Sequence, residues 1–235
     1  MASLSQYTTD ALLLIVLPYA AILLFLLVSI RRYVWEPFSY SSLSSQFLEP
    51  HQHFWGLVPF HYGILTVLAG HLIGFLIPRE VLAWNSVPVR LYVLEVSAFA
   101  FGLLTLVGLV SIIVRRHNNA RVKMVTSVAD WILLGLLLVQ IASGLYVAIF
   151  QSWGSSWFAA LVSPYLWSLV TFSPDISFVT ALPWPVKLHF VCGYLVIAFA
   201  PFTRLVHALV MPNPYLWRRP QVVRWYGAWK NARNL

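Results

Sequence analysis

Residues 54–77 read FWGLVPFHYGILTVLAGHLIGFLI, and this stretch decides the fold. It carries no Asp, Glu, Lys or Arg, yet it contains His61 and His71. About 20 apolar residues at roughly 1.5 Å rise each suffice to cross the ~30 Å hydrocarbon layer of a bilayer. Backbone groups in lipid must be paired within the segment, which favours a helix. The stretch therefore predicts a transmembrane helix that carries two histidines.

Four further stretches have the same length and character. They predict an all-α integral membrane protein, a bundle of five transmembrane helices in a single domain over residues 1–235. Pro18 and Pro201 are expected to bend their helices, and Pro78 is expected to end the second one. The five predicted spans cover residues 11–30, 54–77, 91–114, 131–150 and 188–211, and a basic tail follows at 212–235.

The composition excludes several classes of protein. Apolar residues make up 60% of the chain and charged residues only 9%, with a mean hydropathy of +0.78. Globular domains carry about 25% charged residues, so an ordinary cytosolic enzyme and a nucleic-acid-binding domain are both excluded. A single cysteine, Cys192, excludes a disulfide framework, a cysteine-based zinc site, an iron–sulfur cluster and a C-x-x-C-H haem attachment.

The positive charges predict the orientation in the membrane. Residues 152–186 are aromatic but interrupted by prolines, so we interpret them as an interfacial segment and not as a sixth span. Five spans then place Arg79, Arg90 and Lys187 on one side and all the other Lys and Arg residues on the opposite side. The positive-inside rule puts the N-terminus outside and the C-terminal tail in the cytoplasm.

Two more histidines, His189 and His207, lie in the fifth predicted span. Eighteen residues of continuous helix would put them on one face about 27 Å apart, whereas His61 and His71 would lie about 15 Å apart. Antiparallel second and fifth spans would pair His61 with His207 and His71 with His189. Such pairs fit two stacked bis-histidine haem sites, and they also fit a proton relay. The unequal separations require a tilt, which Pro201 could supply.

Small residues and one arginine accompany the histidines. Glycines near them either leave room for a flat macrocycle or serve as close helix–helix contacts. Arg204 lies three residues before His207 and either binds a haem propionate or extends to the inner interface. The glycines in question are Gly63, Gly70, Gly74 and Gly193.

The sequence resembles the gamma subunit of membrane-bound respiratory nitrate reductase, a dihaem cytochrome b of five transmembrane helices. The resemblance covers nearly the whole chain, and the spacing of the four histidines is its most specific feature. It is carried by Pro59–Leu65, Gly70–Gly74, Leu188–Phe190 and Pro201–His207, and it extends to Arg121–Lys123, Ala129–Asp130, Gln140 and Val170–Phe172.

The resemblance implies two haem b groups as cofactors, a proximal one held by His61 and His207 and a distal one held by His71 and His189. It implies that quinol is oxidised near the outer face, beside Gly70, His71 and Arg90, where the family has lysine at the position of Arg90. Electrons would leave to an iron–sulfur beta subunit and a molybdenum-containing alpha subunit that reduces nitrate. The chain would then be the electron-transfer subunit of an oxidoreductase in a prokaryotic inner membrane.

Alternatives remain open from the sequence alone. The same electron-transfer role would suit a nitrite-oxidising or sulfur-compound oxidoreductase, and a haem-free proton relay is the competing class. Glu95 is a candidate for proton uptake or a hydrogen-bonded buried acid. Asp130 fits a helix cap.

Overall fold

A computed structural model describes residues 4–36 and 51–209, with side chains from residue 8 and from residue 54 onwards. The predicted basic tail at 212–235 lies outside this range. The helices are α1 (Leu4–Ala11), α2 (Leu17–Trp35), α3 (His51–Leu76), α4 (Pro78–Asn85), α5 (Pro88–Asn118), α6 (Ala120–Met124), α7 (Val128–Phe150), α8 (Gly154–Trp157), α9 (Ser163–Val170), α10 (Ser177–Thr180) and α11 (Trp184–Phe199). Short π-helical segments at Leu12–Val16 and Phe158–Val162 join α1 to α2 and α8 to α9.

The five predicted spans are present as helices. Within the described part of the chain, five helical stretches are long and apolar enough to cross a membrane, and no strand occurs. Pro78 begins α4 directly after α3 ends, as the sequence predicts. The stretches run over Thr8–Trp35, Phe54–Leu76, Pro88–Asn118, Val128–Phe150 and Trp184–Phe202.

The first span continues as a helix through Pro18, and another segment supplies a hydrogen bond to the carbonyl group that the proline leaves without a partner. Proline has no N–H, so the carbonyl oxygen of Leu14, four residues earlier, loses its helical partner. The hydroxyl of Tyr165 donates to that oxygen at 2.6 Å. Tyr165 is fully buried, and burial raises the pKa of its phenol, which therefore stays protonated as a donor. The expected repair of a proline bend by a neighbouring segment is thus observed.

Small residues bring α3 and α5 into close contact. A Cβ atom added at Gly63 would lie 2.4 Å from Thr105 Oγ1 and 2.8 Å from the Phe101 carbonyl oxygen. One added at Gly108 would lie 2.7 Å from the Cα of Phe60. Real Cβ atoms cannot approach other atoms so closely, so the two helices pack in this way only because glycine occupies both positions. Gly63 is therefore a helix-packing residue, the second of its two predicted roles.

The interfacial segment is helical over most of its length. Helix α8, the π-helical segment and α9 follow one another without a break from Gly154 to Val170, because the junction residues Phe158 and Ser163 have helical backbone angles. This continuous stretch, here called the outer helix, packs on the end of α3. Ser163 Oγ and Trp167 Nε1 both donate to the Phe75 carbonyl oxygen, at 3.1 and 2.9 Å. The described residues contain no sixth span.

The fifth span is broken, and here the sequence prediction was wrong. Helix α11 ends at Phe199, a 3₁₀ turn covers Ala200–Phe202, and Thr203 is extended at φ −123° and ψ −176°. A second 3₁₀ segment, Arg204–Leu209, follows. The helix over 188–211 was predicted to bend at Pro201 and not to end there, and the separation of 27 Å assumed a continuous helix. Proline at 201 cannot continue the helical hydrogen bonds, and the chain leaves the helix there.

Side chains of the first span hold the fifth span at both ends. Lys187, predicted to lie on the outer side, is buried, with its Nζ 2.9 Å from Asp10 Oδ2. At the opposite end, Arg32 donates to the carbonyl oxygens of Pro201 and Thr203 at 2.7 and 3.1 Å. The guanidinium thus satisfies carbonyl groups that the helix break exposes. Contacts at both ends show that the first and fifth spans run parallel.

Candidate functional site

Helix α3 and the fifth span bring the four membrane histidines together as two pairs. The rings of His61 and His207 face each other with centroids 6.3 Å apart and planes at 63°. Those of His71 and His189 have centroids 6.3 Å apart and planes at 36°. His189 and His207 are 18 residues apart, whereas His61 and His71 are only 10 apart, yet both pairs have the same distance between ring centroids. The break in the fifth span explains this, because His207 does not lie on the same straight helix as His189.

All four imidazoles are held through the same nitrogen atom. In three of them Nδ1 lies within hydrogen-bond distance of a backbone carbonyl oxygen alone: His61 to Leu57 (2.8 Å), His71 to Val67 (2.8 Å) and His207 to Arg204 (2.5 Å). A carbonyl oxygen only accepts, so Nδ1 carries the proton and Nε2 keeps its lone pair. This tautomer is the one a metal-binding imidazole needs, and the carbonyl fixes the orientation of the ring.

His189 is held by the residues of α7. Its Nδ1 lies 3.1 Å from the Gln140 carbonyl oxygen and 3.0 Å from Ser143 Oγ, and its Nε2 lies 3.2 Å from Gln140 Nε2. A Cβ added at Gly144 would lie 2.9 Å from the imidazole ring, so the ring rests directly on this glycine. Sequence reasoning missed Ser143 and Gly144, because their distance from His189 along the chain gave no signal.

The His61–His207 pair is supported by an ion pair that the sequence did not reveal. Arg204 Nε donates to Asp130 Oδ1 at 2.7 Å, and a second guanidinium nitrogen lies 2.5 Å from Oδ2. Asp130 also receives the N–H of Ser127 at 2.9 Å and completes the capping box of α7, as the predicted helix cap. Asp130 of α7 thus holds the 3₁₀ segment Arg204–Leu209 in place. The carbonyl group of Arg204 in that segment in turn orients His207.

The other predicted glycines differ in their surroundings. A Cβ at Gly70 would meet no atom within 4 Å, so open space lies beside His71. One at Gly74 would lie 2.9 Å from the ring of Phe158, and one at Gly193 would lie 3.5 Å from the Gln140 amide. The close contact assigns Gly63 to helix packing, whereas the role of Gly70 beside a macrocycle stays a prediction.

Arg90 lies at the start of α5, exposed, with its guanidinium carbon 5.1 Å from the centre of the Trp84 ring. This contact is a cation–π interaction at the end of the bundle where His71 lies. The carboxylate of Glu95, farther along α5, accepts hydrogen bonds from Ser155. Both residues thus lie on α5, but only Glu95 contacts the outer helix.

Among the described residues, neither histidine pair is joined by a third His, Cys, Asp or Glu side chain that could bind a metal. The part of the chain that the structure describes contains no group of three or more His, Cys, Asp or Glu residues that could hold a metal ion. A metal held by one of these imidazole pairs would therefore need a cofactor to supply its remaining ligands, as a porphyrin does with four nitrogens. Gln140 Oε1, beside His189, is buried without a hydrogen-bond partner.

Comparisons with known proteins agree with this arrangement. The family model described as nitrate reductase gamma subunit matches residues 10–226. The chain belongs to this family. It is 34% identical to the nitrate reductase gamma chain of Bacillus subtilis over 213 residues, which cover 89% of this chain and 95% of that one. It is also 34% identical to the respiratory nitrate reductase 1 gamma chain of Escherichia coli over 211 residues, covering 88% and 93%.

A third relative contains a similar sequence within a longer protein. The nitrate reductase-like protein NarX of Mycobacterium tuberculosis is 31% identical over 211 residues, which are 86% of this chain but 32% of that protein. The gamma-subunit family together with five candidate spans identifies a multi-pass membrane subunit of a nitrate reductase, an oxidoreductase complex.

Proposed function

We propose that this gamma subunit carries two haem b groups, oxidises quinol near the outer face of a prokaryotic inner membrane, and delivers the electrons to an iron–sulfur beta subunit. A molybdenum-containing alpha subunit would then reduce nitrate in the cytoplasm. His61 and His207 would hold the proximal haem, and His71 and His189 the distal one. A haem with both axial positions filled supplies one-electron transfer and has no open position for oxygen.

The spacing of the imidazoles carries this proposal. Because an imidazole nitrogen binds a metal ion at about 2.0–2.1 Å and lies roughly 1.1 Å from its ring centroid, two imidazoles on opposite sides of one metal atom have centroids about 6.3 Å apart. Both pairs have this separation. In a proton relay the rings would be linked by hydrogen bonds, and among the described residues no hydrogen bond joins the rings of either pair. The geometry therefore favours haem ligation over a relay.

The proposed orientation follows from the helix ends. The ends of α2 and α5 that carry Arg31, Arg32, Arg115 and Arg116 would face the cytoplasm, and the Asp10–Lys187 pair would lie outside. The proximal histidines then lie toward the partner subunits. Arg204, which is bound to Asp130, is also the proposed partner of a propionate of the proximal haem.

A reduced-minus-oxidised absorption spectrum of the purified chain, with extracted haem quantified per polypeptide, tests the proposal. Two b-type haems per chain are expected. A folded preparation without haem would exclude the electron-transfer role and favour the relay, and one haem would show that one histidine pair is wrongly assigned. Co-purification of an iron–sulfur subunit and a molybdenum subunit identifies nitrate as the acceptor, whereas different partner subunits would contradict that assignment.

At the proposed quinol site, Arg90→Ala should raise the KM for quinol about tenfold while both haems stay bound, because a charged hydrogen bond to a quinol oxygen contributes about 1.5 kcal/mol or more. Arg90→Lys, which restores the family's lysine, is the matched control and should retain a low KM. Steady-state kinetics with a water-soluble quinol measures both. An unchanged KM in Arg90→Ala would mean that Arg90 only anchors the helix through Trp84.

A further inference from the structure

We infer that Glu95 is a positioning residue for the distal histidine pair. From α5 it caps the N-terminus of the outer helix, and this helix holds Phe158 against His71. This inference rests on the proposed function, since its spectroscopic readout is the haem held by His71 and His189. It assigns a role to the acidic residue near the start of the third span, for which the sequence left two interpretations open.

The outer helix begins with a strained turn. Trp153, the residue before Gly154, has a left-handed backbone at φ 66° and ψ 40°, and its side chain makes no capping hydrogen bond. A bulky residue adopts this conformation at an energetic cost, and it persists only when surrounding contacts impose it. The helix therefore needs anchors from other parts of the fold.

Helix α5 supplies two of these anchors from one face. The rings of Tyr92 and Trp153 meet edge to face with centroids 5.3 Å apart. One turn further along α5, Glu95 Oε1 accepts the backbone N–H of Ser155 at 2.8 Å and its hydroxyl at 2.6 Å. A carboxylate that accepts a free N–H at the start of a helix does what an N-cap side chain does, and its negative charge suits the helix dipole.

Helix α4 supplies the third anchor. Asn85 is 9% exposed, and its Nδ2 donates to Ser155 Oγ at 2.9 Å and to Ser156 Oγ at 3.0 Å. The Ser155 hydroxyl thus accepts from Asn85 and donates to Glu95 in one chain of hydrogen bonds. Helices α4, α5 and α8 are joined at this point, and α8 itself (Gly154–Trp157) brings no charged residue to Glu95.

One turn beyond Ser155, the outer helix reaches the distal pair. The ring of Phe158 meets that of His71 edge to face, with centroids 5.5 Å apart and planes at 84°. The same ring fills the space above Gly74, where an added Cβ would lie 2.9 Å from it. The His71 ring could rotate about its hydrogen bond to the Val67 carbonyl group, and Phe158 limits this rotation. Phe158 therefore helps to set the angle of 36° between the imidazole planes of His71 and His189.

The test compares Glu95→Ala and Glu95→Gln with Ser97→Ala in the full chain with haem bound. Ser97 lies two residues along α5 and donates to the Leu94 carbonyl group within the helix, so its loss leaves the outer helix untouched. Hydrogen exchange at residues 154–158 measures the cap. Electron paramagnetic resonance and midpoint potentials measure each haem, because the low-spin iron signal depends on the angle between the imidazole planes, and the proximal haem serves as an internal reference.

In Glu95→Ala we expect exchange at 154–158 to be about fivefold faster, the factor that corresponds to loss of a typical cap. The distal signal and potential should shift while the proximal ones stay constant. Glu95→Gln keeps an oxygen acceptor without the charge, so it should fall between Glu95→Ala and the wild type. It also provides the readout if Glu95→Ala fails to fold.

Three results would overturn the inference. Exchange equal to that of Ser97→Ala would show that Glu95 is no cap, and faster exchange with an unchanged distal signal would show that the cap does not act on His71. Slower quinol oxidation in Glu95→Gln with both readouts unchanged would assign Glu95 to proton transfer. A wild-type chain without haem would contradict the proposed function alone, since the exchange measurement does not depend on haem.

Discussion

His189→Ala should lower the haem content from two per chain to one and reduce quinol oxidation at least 100-fold. The variant removes the proposed iron-binding nitrogen Nε2 together with the ring that Gln140, Ser143 and Gly144 hold in place. Loss of residues that merely orient a ligand costs 10–100-fold in metal affinity, and loss of the ligand itself costs more. Extracted haem, absorption spectra and quinol kinetics measure the effect.

The reciprocal variant and a surface control make this result specific. His207→Ala should also leave one haem, but the distal one, so quinol should still reduce the chain while transfer to the partner subunit stops. His117→Ala, which alters an exposed histidine at the C-terminal end of α5, should keep both haems and full activity. Two haems in either His189→Ala or His207→Ala would contradict the ligand assignment.

Asp130→Asn should lower the free energy of unfolding by about 3–5 kcal/mol, because it leaves the buried guanidinium of Arg204 without its carboxylate. Arg116, also buried and electrostatically coupled to Asp130, loses the same counter-charge. The 3₁₀ segment whose Arg204 carbonyl group orients His207 would loosen, so the proximal haem should dissociate faster than the distal one. Denaturant unfolding in detergent and haem-transfer rates measure the two effects.

Ser127→Ala is the matched control for Asp130→Asn. It removes one hydrogen bond of the capping box, the one that Asp130 N donates to Ser127 Oγ at 3.1 Å. The ion pair between Asp130 and Arg204 is kept. Loss of an N-cap costs about 1 kcal/mol. If Asp130→Asn were no more destabilising than Ser127→Ala, the carboxylate would act only as a helix cap.

Much of the fold could be predicted from the sequence because a bilayer leaves few choices. Apolar stretches of about 20 residues without charge must form helices, so the five spans follow from length and composition. Histidine is costly in such a helix, which made His61, His71, His189 and His207 candidates at once. The structure brings them together in the predicted pairs, and the family comparison supports the expected class of protein.

Apart from the histidine pairs, the sequence did not reveal which side chains distant in the chain contact one another. Nothing near Asp130 indicated Arg204, and nothing near Asp10 indicated Lys187, because an ion pair depends on which helices become neighbours. The fifth span was predicted as one helix because hydropathy continues past Pro201. The break is stabilised because Arg32 of another helix donates hydrogen bonds to two carbonyl groups, those of Pro201 and Thr203, that the break leaves exposed.

The sequence by itself determined the number of spans, the four candidate ligands and their pairing, since these depend on local hydrophobicity and on the alternating direction of the helices. Only the tertiary structure decided the break at Ala200–Thr203, the residues that orient His189 and the role of Gly63 in helix packing. It also placed the outer helix on His71. These features arise from hydrogen bonds and close contacts between helices, which the apolar pattern of a single helix does not encode.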